Sequence, residues 1–289
     1  MENQHKTRDK SQKAVYNIGD FESPRAFHLW GTPKKTTCAI GGIAMKKMLA
    51  LLLTLCLLAG LVPLGAGATE DTSCEGGTKC THAAAIGDKH YETLQGAIDA
   101  ATPGATVTLC SNIDPSDPIT VSKTLTLDLA GHKISNTTPI WINTEDEKHW
   151  SLIRVSGEGN LTITGNGTLE AREDDCYAVD LYDTTSKCTI DNGTFIGNIH
   201  AVYVSNGNLT VNGGTFSVKQ KYSVEYPNEY VLNCYDANYR NETASITVKG
   251  GTFLGFNPQN CRAEGEDTNF CAEGYVGVIE KTEDENTYY

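Results

Sequence analysis

The sequence predicts an all-β fold, a right-handed parallel β-helix of about six coils with an N-terminal capping α-helix. Three observations predict it. The phrase LTVNGGTF at 209–216 returns as ITVKGGTF at 246–253 and, more loosely, as CTIDNGTF at 188–195 and LTITGNGTL at 161–169. The copies stand at unequal intervals: 26 residues from Gly167 to Gly193, 21 from Gly193 to Gly214 and 37 from Gly214 to Gly251. One amphipathic stretch of helical period, YETLQGAIDAATPG, precedes them all.

Each copy reads as strand, corner, strand. Apolar residues fall in step at Leu127, Leu129 and Ile134; at Leu161, Ile163 and Leu169; at Ile190 and Phe195; at Leu209, Val211 and Phe216; and at Ile246, Val248 and Phe253. Their alternation with Thr and Asp marks strands with one buried face. Asn166-Gly167, Asn192-Gly193, Gly213-Gly214 and Gly250-Gly251 tolerate the left-handed backbone of a sharp corner. A further strand precedes each of the last four copies: SLIRV (151–155), YAVDL (177–181), HAVYV (200–204) and EYVLN (229–233). Three strands per repeat describe a coil that stacks on the next. A propeller needs near-constant blades of about 40 residues and a leucine-rich solenoid keeps a tight period. A β-helix absorbs unequal coils, because one turn bulges into a loop while its strands stay in register. On this reading Phe195, Phe216 and Phe253 hold equivalent positions and stack inside as a ladder.

Along the chain, residues 1–44 show neither a sustained apolar period nor a targeting pattern. They are read as an upstream extension that is not made, or as disordered. Gly41-Gly42, whose codons begin GG, fits a ribosome-binding sequence ahead of a start at Met45. From there MKKMLALLLTLCLLAGLVPLGAGA reads as a secretory signal peptide over 45–68, cut after Ala68. Its unbroken apolar run is shorter than the roughly 20 residues a bilayer core needs. Leu55, not a small residue, precedes Cys56, which argues against a lipid anchor. The expected location is outside the cell or at its surface, with no stable membrane insertion after cleavage. Residues 69–90 follow as a linker. The capping helix spans 91–102, with Leu94, Ala97, Ile98 and Ala101 on one face, Thr93 at its start and Pro103-Gly104 at its end. Such a cap blocks edge-to-edge growth of open strands, and a monomer is expected. The β-helix takes 103–256, and a terminal coil with an acidic, solvated tail takes 257–289.

Charge excludes some partners. The first 68 residues hold four of the 36 acidic and nine of the 23 basic side chains, leaving 32 against 14 and a net charge of −18 from Thr69 onward. That surface repels nucleic acid and anionic membranes. Eight cysteines remain in this stretch: Cys74, Cys80, Cys110, Cys176, Cys188, Cys234, Cys261 and Cys271. In an exported chain the nearest pairs, Cys74 with Cys80 and Cys261 with Cys271, are disulfide candidates, although spacing does not fix connectivity. A zinc set of Cys74, Cys80, His82 and His90 is the sharper alternative, and its spacing fits no familiar knuckle.

The order YETLQGAIDAATPGATVTL, LTLDLAGHKIS, G-T-F coils, FNPQN and AEGYVGVIE resembles secreted right-handed parallel β-helix proteins of the pectin-lyase-like superfamily. The resemblance is strongest to the small repeat proteins of Gram-positive bacteria and covers about residues 80 to 281. It implies architecture. The superfamily includes polysaccharide lyases and hydrolases, but a fold hosts functions without defining them.

Chemistry is harder to find. Asp174-Asp175-Cys176 resembles the D-D-C of polygalacturonases, whose paired aspartates protonate the leaving oxygen and activate water, and NTED at 143–146 echoes their upstream N-T-D. The matching G-H-G and R-I-K elements are missing: His200 stands in NIHAVYV without flanking glycines. Lyase chemistry requires an Arg or Lys base facing a calcium-bridged uronate, and no Arg is evident on a coil beside an aspartate cluster. Asp174 and Asp175 stay as the candidates for glycan cleavage or calcium, against the plainer reading of solvated loop carboxylates. No other cofactor is implied.

The gaps 135–150, 170–176, 196–199 and 217–228 all fall at the same point of the coil. Their loops are therefore expected along one flank, carrying Trp141, Trp150, Glu173, Asp174, Asp175, Tyr222 and Tyr226. Aromatic faces stack on sugar rings and acids accept hydroxyl hydrogen bonds, so this ridge is the candidate contact surface for a glycan or cell-surface partner. The N-x-T triplets at Asn160, Asn166, Asn192, Asn208 and Asn241 follow from corner and strand preferences instead. The function expected is a binding or surface-structural module, with a small or degenerate polysaccharide hydrolase or lyase as the alternative.

Overall fold

The computed structural model describes residues 81–144, 148–172, 176–221, 230–283 and 286–289. The extension, the signal peptide, Cys74 and Cys80 lie outside the described residues. The described chain is predominantly β, with sheets of parallel strands and few helices. The first sheet runs Ala244–Val248, Gly207–Val211, Lys187–Ile190, Asn160–Thr164, Thr124–Asp128, Ala105–Leu109, Ala84–Ile86 and Lys89–Tyr91. The second runs Thr252–Phe253, Thr215–Val218, Thr194–Gly197, Thr168–Glu170 and Lys133–Ser135. The third runs Leu232–Cys234, His200–Val204, Tyr177–Leu181, Ser151–Val155 and Ile119–Val121. From Thr124 onward the chain visits the first, second and third sheets in that fixed rotation. Each strand thus lies parallel to the one laid down a rotation earlier.

Register turns the repeated phrase into continuous apolar rows. In the first sheet Leu125, Leu161, Cys188, Leu209 and Ile246 form one row, and Leu127, Ile163, Ile190, Val211 and Val248 another. In the second sheet Ile134, Leu169, Phe195, Phe216 and Phe253 line up, all buried. The three phenyl rings stack with centroids 5.1 and 5.0 Å apart and planes tilted by 11° and 13°. Such aromatic pairs add about 0.5–1.5 kcal/mol beyond their buried area.

The corners follow the same logic. Gly214 holds φ of 100°, and a Cβ there would stand 2.9 Å from the carbonyl oxygen of Gly193 in the preceding repeat, so both backbone and space demand glycine. Beside it Asn192 donates to Asn166 at 2.7 Å and Asn212 to Asp191 at 2.8 Å. Asn192 and Asn212 thus each join their corner to the preceding one.

At the N-terminal end the helix spans Leu94–Ala100, shorter at both ends than expected. Thr93 is its cap, accepting from the Gly96 amide at 3.0 Å, and Ala101 has already turned extended ahead of Thr102-Pro103. Leu94, Ala97 and Ile98 are its buried face, packed by the strands Ala84–Ile86, Lys89–Tyr91, Ala105–Leu109 and Ile119–Val121. Part of the expected linker is therefore structured: Ala84–Ile86 pairs antiparallel with both Lys89–Tyr91 and Ala105–Leu109. The C-terminal residues also pair. Lys281–Glu283 lies antiparallel to Asn286–Tyr288, and the amides and carbonyls of Phe253 and Tyr289 exchange bonds of 2.9 and 3.0 Å. The expected solvated tail is tied back to the last strand of the second sheet.

Truncating Phe216 to Ala removes the middle ring of the ladder and is expected to cost about 3–5 kcal/mol of unfolding free energy in urea titration. A loss below about 0.5 kcal/mol, the range of surface substitutions, would show that the ring is not part of the packed interior.

Candidate functional site

The flank built by the loops rests on two rows. Ser135, Glu170, Ile196 and Ser217 stand in register across the second sheet. Ser151, Tyr177 and His200 stand in register at the start of the third. Connections of very different length thus leave one row and arrive at another. An ion-pair line marks the departure: Glu170 takes the ammonium groups of Lys133 and of Lys219, the latter at 2.8 Å, and both hold its carboxyl below the usual range. Lys219 also donates to the Ala171 carbonyl at 3.0 Å, reaching across the short connection that lies between their two loops.

The longest connection described here carries a small antiparallel hairpin, Ile142–Asn143 against Lys148–His149. Trp141 enters it and Trp150 leaves it, both half-buried. Trp141 packs against the core, and its indole Nε1 is buried without a hydrogen-bond partner. Glu173, Asp174, Asp175, Tyr222 and Tyr226 lie outside the described residues. Trp141 and Trp150 therefore sit on the connection that was expected to carry them, and the acidic part of the ridge is not placed.

A second group sits on the third sheet, and the sequence did not single it out. Register sets Thr120, Arg154, Asp180, Tyr203 and Asn233 in one row. Arg154 Nε donates to Asp180 Oδ2 at 3.1 Å with both side chains buried, and Ser205 donates to Asp180 Oδ1 at 3.0 Å. The guanidinium lies 4.3 Å over the Tyr182 ring and also donates to the Lys148 carbonyl. An Arg thus does stand beside an aspartate, from positions 26 residues apart that only the rotation of the chain brings together. Burial pushes the Asp180 carboxyl up to about 6, against the pull of Arg154 and Ser205. Its partners occupy both carboxylate oxygens and burial keeps substrate away, so the pair is structural.

Around it lie rings. Tyr177, His200 and Tyr203 have centroids 4.8 to 5.0 Å apart, and His200 Nδ1 is 2.8 Å from the Tyr230 carbonyl, which accepts its proton. Burial lowers His200 to about 4, against that hydrogen bond, and burial with the Arg154 charge lowers His149 to about 3. Of the disulfide candidates, Cys261 is buried opposite Thr268 and Cys271 pairs with Val248, and both thiols are unbridged in this structure. Burial raises both thiols, Cys261 to about 11. Compared with protein-family models, with curated proteins and with solved structures, the chain matches none.

Two measurements test this group. Arg154→Met leaves the Asp180 carboxylate buried without its counter-ion and is expected to cost about 3–5 kcal/mol at neutral pH, most of it recovered in the double variant with Asp180→Leu. The second concerns His200. Unfolded, it takes a proton near 6.5; folded, near 4, so between these values the unfolded state binds more protons. Its contribution is complete above pH 6.5 and is lost as the pH falls. In His200→Gln the slope of stability against pH across that window should therefore become less positive by about 1.4 kcal/mol per pH unit. An unchanged slope would mean that His200 is protonated in the fold.

Proposed function

We propose that the three sheets are the walls of a right-handed parallel β-helix of about six coils, of the pectin-lyase-like kind, and that the exported protein binds glycan along its loop flank. The fixed rotation through three sheets supports the coil, since successive parallel strands need a crossover between them. Parallel crossovers are right-handed in about 98% of cases. The observation that carries the binding reading is the shared row from which all four connections spring and the row on which the first three end. Loops so rooted line up one above another at the strand spacing of about 4.8 Å, which gives a long shallow surface suited to an extended chain. Trp141 and Trp150 stand on it, and the acidic and tyrosine positions 173–175, 222 and 226 belong to the same loops.

A net charge of −18 from Thr69 onward favours a neutral glycan over a polyuronate, which it repels. Binding without cleavage is the reading adopted, because Arg154 and Asp180 are consumed in the wall. Asp174 and Asp175 then serve as hydroxyl acceptors or as calcium ligands.

The test is an array of neutral and uronic-acid polysaccharides with reducing-sugar and unsaturated-uronate readouts. Retention of neutral glycans without product is expected. Trp150→Ala should weaken it by about tenfold, the loss of roughly 1.4 kcal/mol of ring stacking. Asp174→Asn with Asp175→Asn should weaken it while moving the thermal midpoint by no more than about 2–4 °C. Released reducing ends or unsaturated uronate would establish the hydrolase or lyase alternative, and no retention at all would leave a non-binding spacer.

A further inference from the structure

We propose that residues 275–279 are the pairing surface of a homodimer, in which they add as an antiparallel strand to the same segment of a second copy. Six large apolar side chains are exposed among the described residues, and four of them stand here: Tyr275, Val276, Val278 and Ile279, at 48, 65, 62 and 64% exposure. The backbone is open as well. Among the described residues the amides of Val276, Val278 and Ile279 and the carbonyls of 275–279 make no backbone bond within the chain, whereas Tyr275 donates to the Ala272 carbonyl and Glu280 to the Tyr288 carbonyl. At the centre the segment is held. Gly277 donates to Gln259 Oε1 at 2.9 Å, and a Cβ in its place would run into Asn257 Oδ1. The next strand, Lys281–Glu283, has Asn286–Tyr288 on one side and no strand on the other. Apolar side chains on an open edge are a hazard unless another strand covers them, and main-chain pairing is what such an edge accepts.

The edge complements itself. Antiparallel pairing about a two-fold axis at Gly277 sets Tyr275 opposite Ile279, Val276 opposite Val278 and Gly277 opposite its own copy. The same register sets Glu273 opposite position 281, a lysine, on both sides of the axis. Aromatic with β-branched residues and opposite charges are favourable cross-strand pairs, and like charges directly opposite are not. A shift of one residue sets Glu273 against Glu280 or Glu280 against Tyr275, and parallel pairing in register sets each glutamate against its own copy. Only the proposed register among these relieves charge while matching apolar with apolar. A chain of net charge −18 from Thr69 onward repels its copies, and two opposite-charge pairs at the edge oppose that repulsion. Such a contact is isologous, so it closes at two copies instead of growing into a fibre. The protein is then a dimer rather than the monomer expected from its capped N-terminal end. Because the centre of the segment is already fixed against Asn257 and Gln259, little ordering opposes the pairing.

Sedimentation equilibrium of the full chain, over about a hundredfold range of concentration, is expected to show a reversible step from one copy to two and no larger species. Val276→Asp with Val278→Asp sets acid against acid beside the axis and should raise the dissociation constant by more than about a hundredfold. Glu273→Lys alone and Lys281→Glu alone should each weaken the dimer by about tenfold, and mixing these two variants should restore it as a heterodimer. Tyr235→Ser, at an exposed ring elsewhere, should leave association within about twofold of the parent. Circular dichroism should show every variant folded, since substitutions at exposed positions cost little. The proposal is overturned by a parent that stays monomeric across the range, by a double-aspartate variant that associates within about twofold of the parent, or by mixed charge variants that associate no better than either alone. Flotation of a monomeric parent with phosphatidylcholine vesicles, lost in the double-aspartate variant, would assign the segment to a lipid surface and overturn it as well.

Discussion

The register between one rotation of the chain and the next is the constraint on which the other contacts depend. A parallel strand presents each side chain to the same row of its neighbour, and a slip of one residue would exchange the buried and exposed faces of the whole strand. Here that slip would replace Leu209 and Val211 with Asn208 and Thr210 in the core of the first sheet, and Phe216 with Thr215 or Ser217 in the second. Corner glycines such as Gly214 fix where the chain turns between strands, and the stacked phenyl rings hold Phe195, Phe216 and Phe253 in one row. Loops may then differ by many residues without cost to the walls, because the entropy of closing a loop grows only slowly with its length.

Burial drives titratable groups of the described chain towards neutrality from both sides. His149 and His200 fall to about 3 and 4, while Asp180 and Glu264 rise to about 6 and 7. The histidines lose stability as pH falls below 6.5, since the unfolded chain takes up their protons first. The acids lose stability as pH rises from about 4 to 7, since the unfolded chain gives up theirs first. Between pH 4.5 and 6 the two pairs act in opposite directions, so these four groups together leave the fold tolerant of mild acid. A single substitution exposes the slope that the other members had been cancelling.

The parallel strands and their corners were legible in the sequence because each rule applies over a short span. Alternation at Leu209 and Val211, glycine at 213 and 214 and the recurrence of Phe216 at Phe253 all lie within one phrase or its copy. What the sequence concealed depends on how the chain passes between sheets. Arg154 and Asp180 belong to SLIRV and YAVDL and look like interruptions in apolar runs until one rotation sets them side by side. Ala84–Ile86 and Lys89–Tyr91, expected as linker, join the first sheet only by folding back on it as antiparallel strands. The C-terminal residues likewise read as an acidic tail, because no local pattern announces the backbone bonds between Phe253 and Tyr289. The ridge lies between these cases: its roots follow from the repeat, whereas nothing in the repeat dictates the side chains that a loop displays.

The third sheet explains why function is sought in loops rather than on a wall. Strands of the first sheet alternate buried with half-exposed positions, as in Asn160–Thr164. Ser151–Val155 is buried at every position, and His200–Val204 at all but Tyr203. Continuous apolar runs such as SLIRV and HAVYV are the composition of strands covered on both faces. Polar groups that enter such a sheet find partners there: Arg154 and Ser205 bond Asp180, and His200 bonds the Tyr230 carbonyl. A ligand that approached the row would have to break those bonds and leave a charge buried, at several kcal/mol per ion. The connections that arrive at Ser151, Tyr177 and His200 carry no such penalty. On the proposed glycan-binding reading, their side chains trade water for a ligand without disturbing the register beneath them, and recognition changes from loop to loop while the sheets stay fixed.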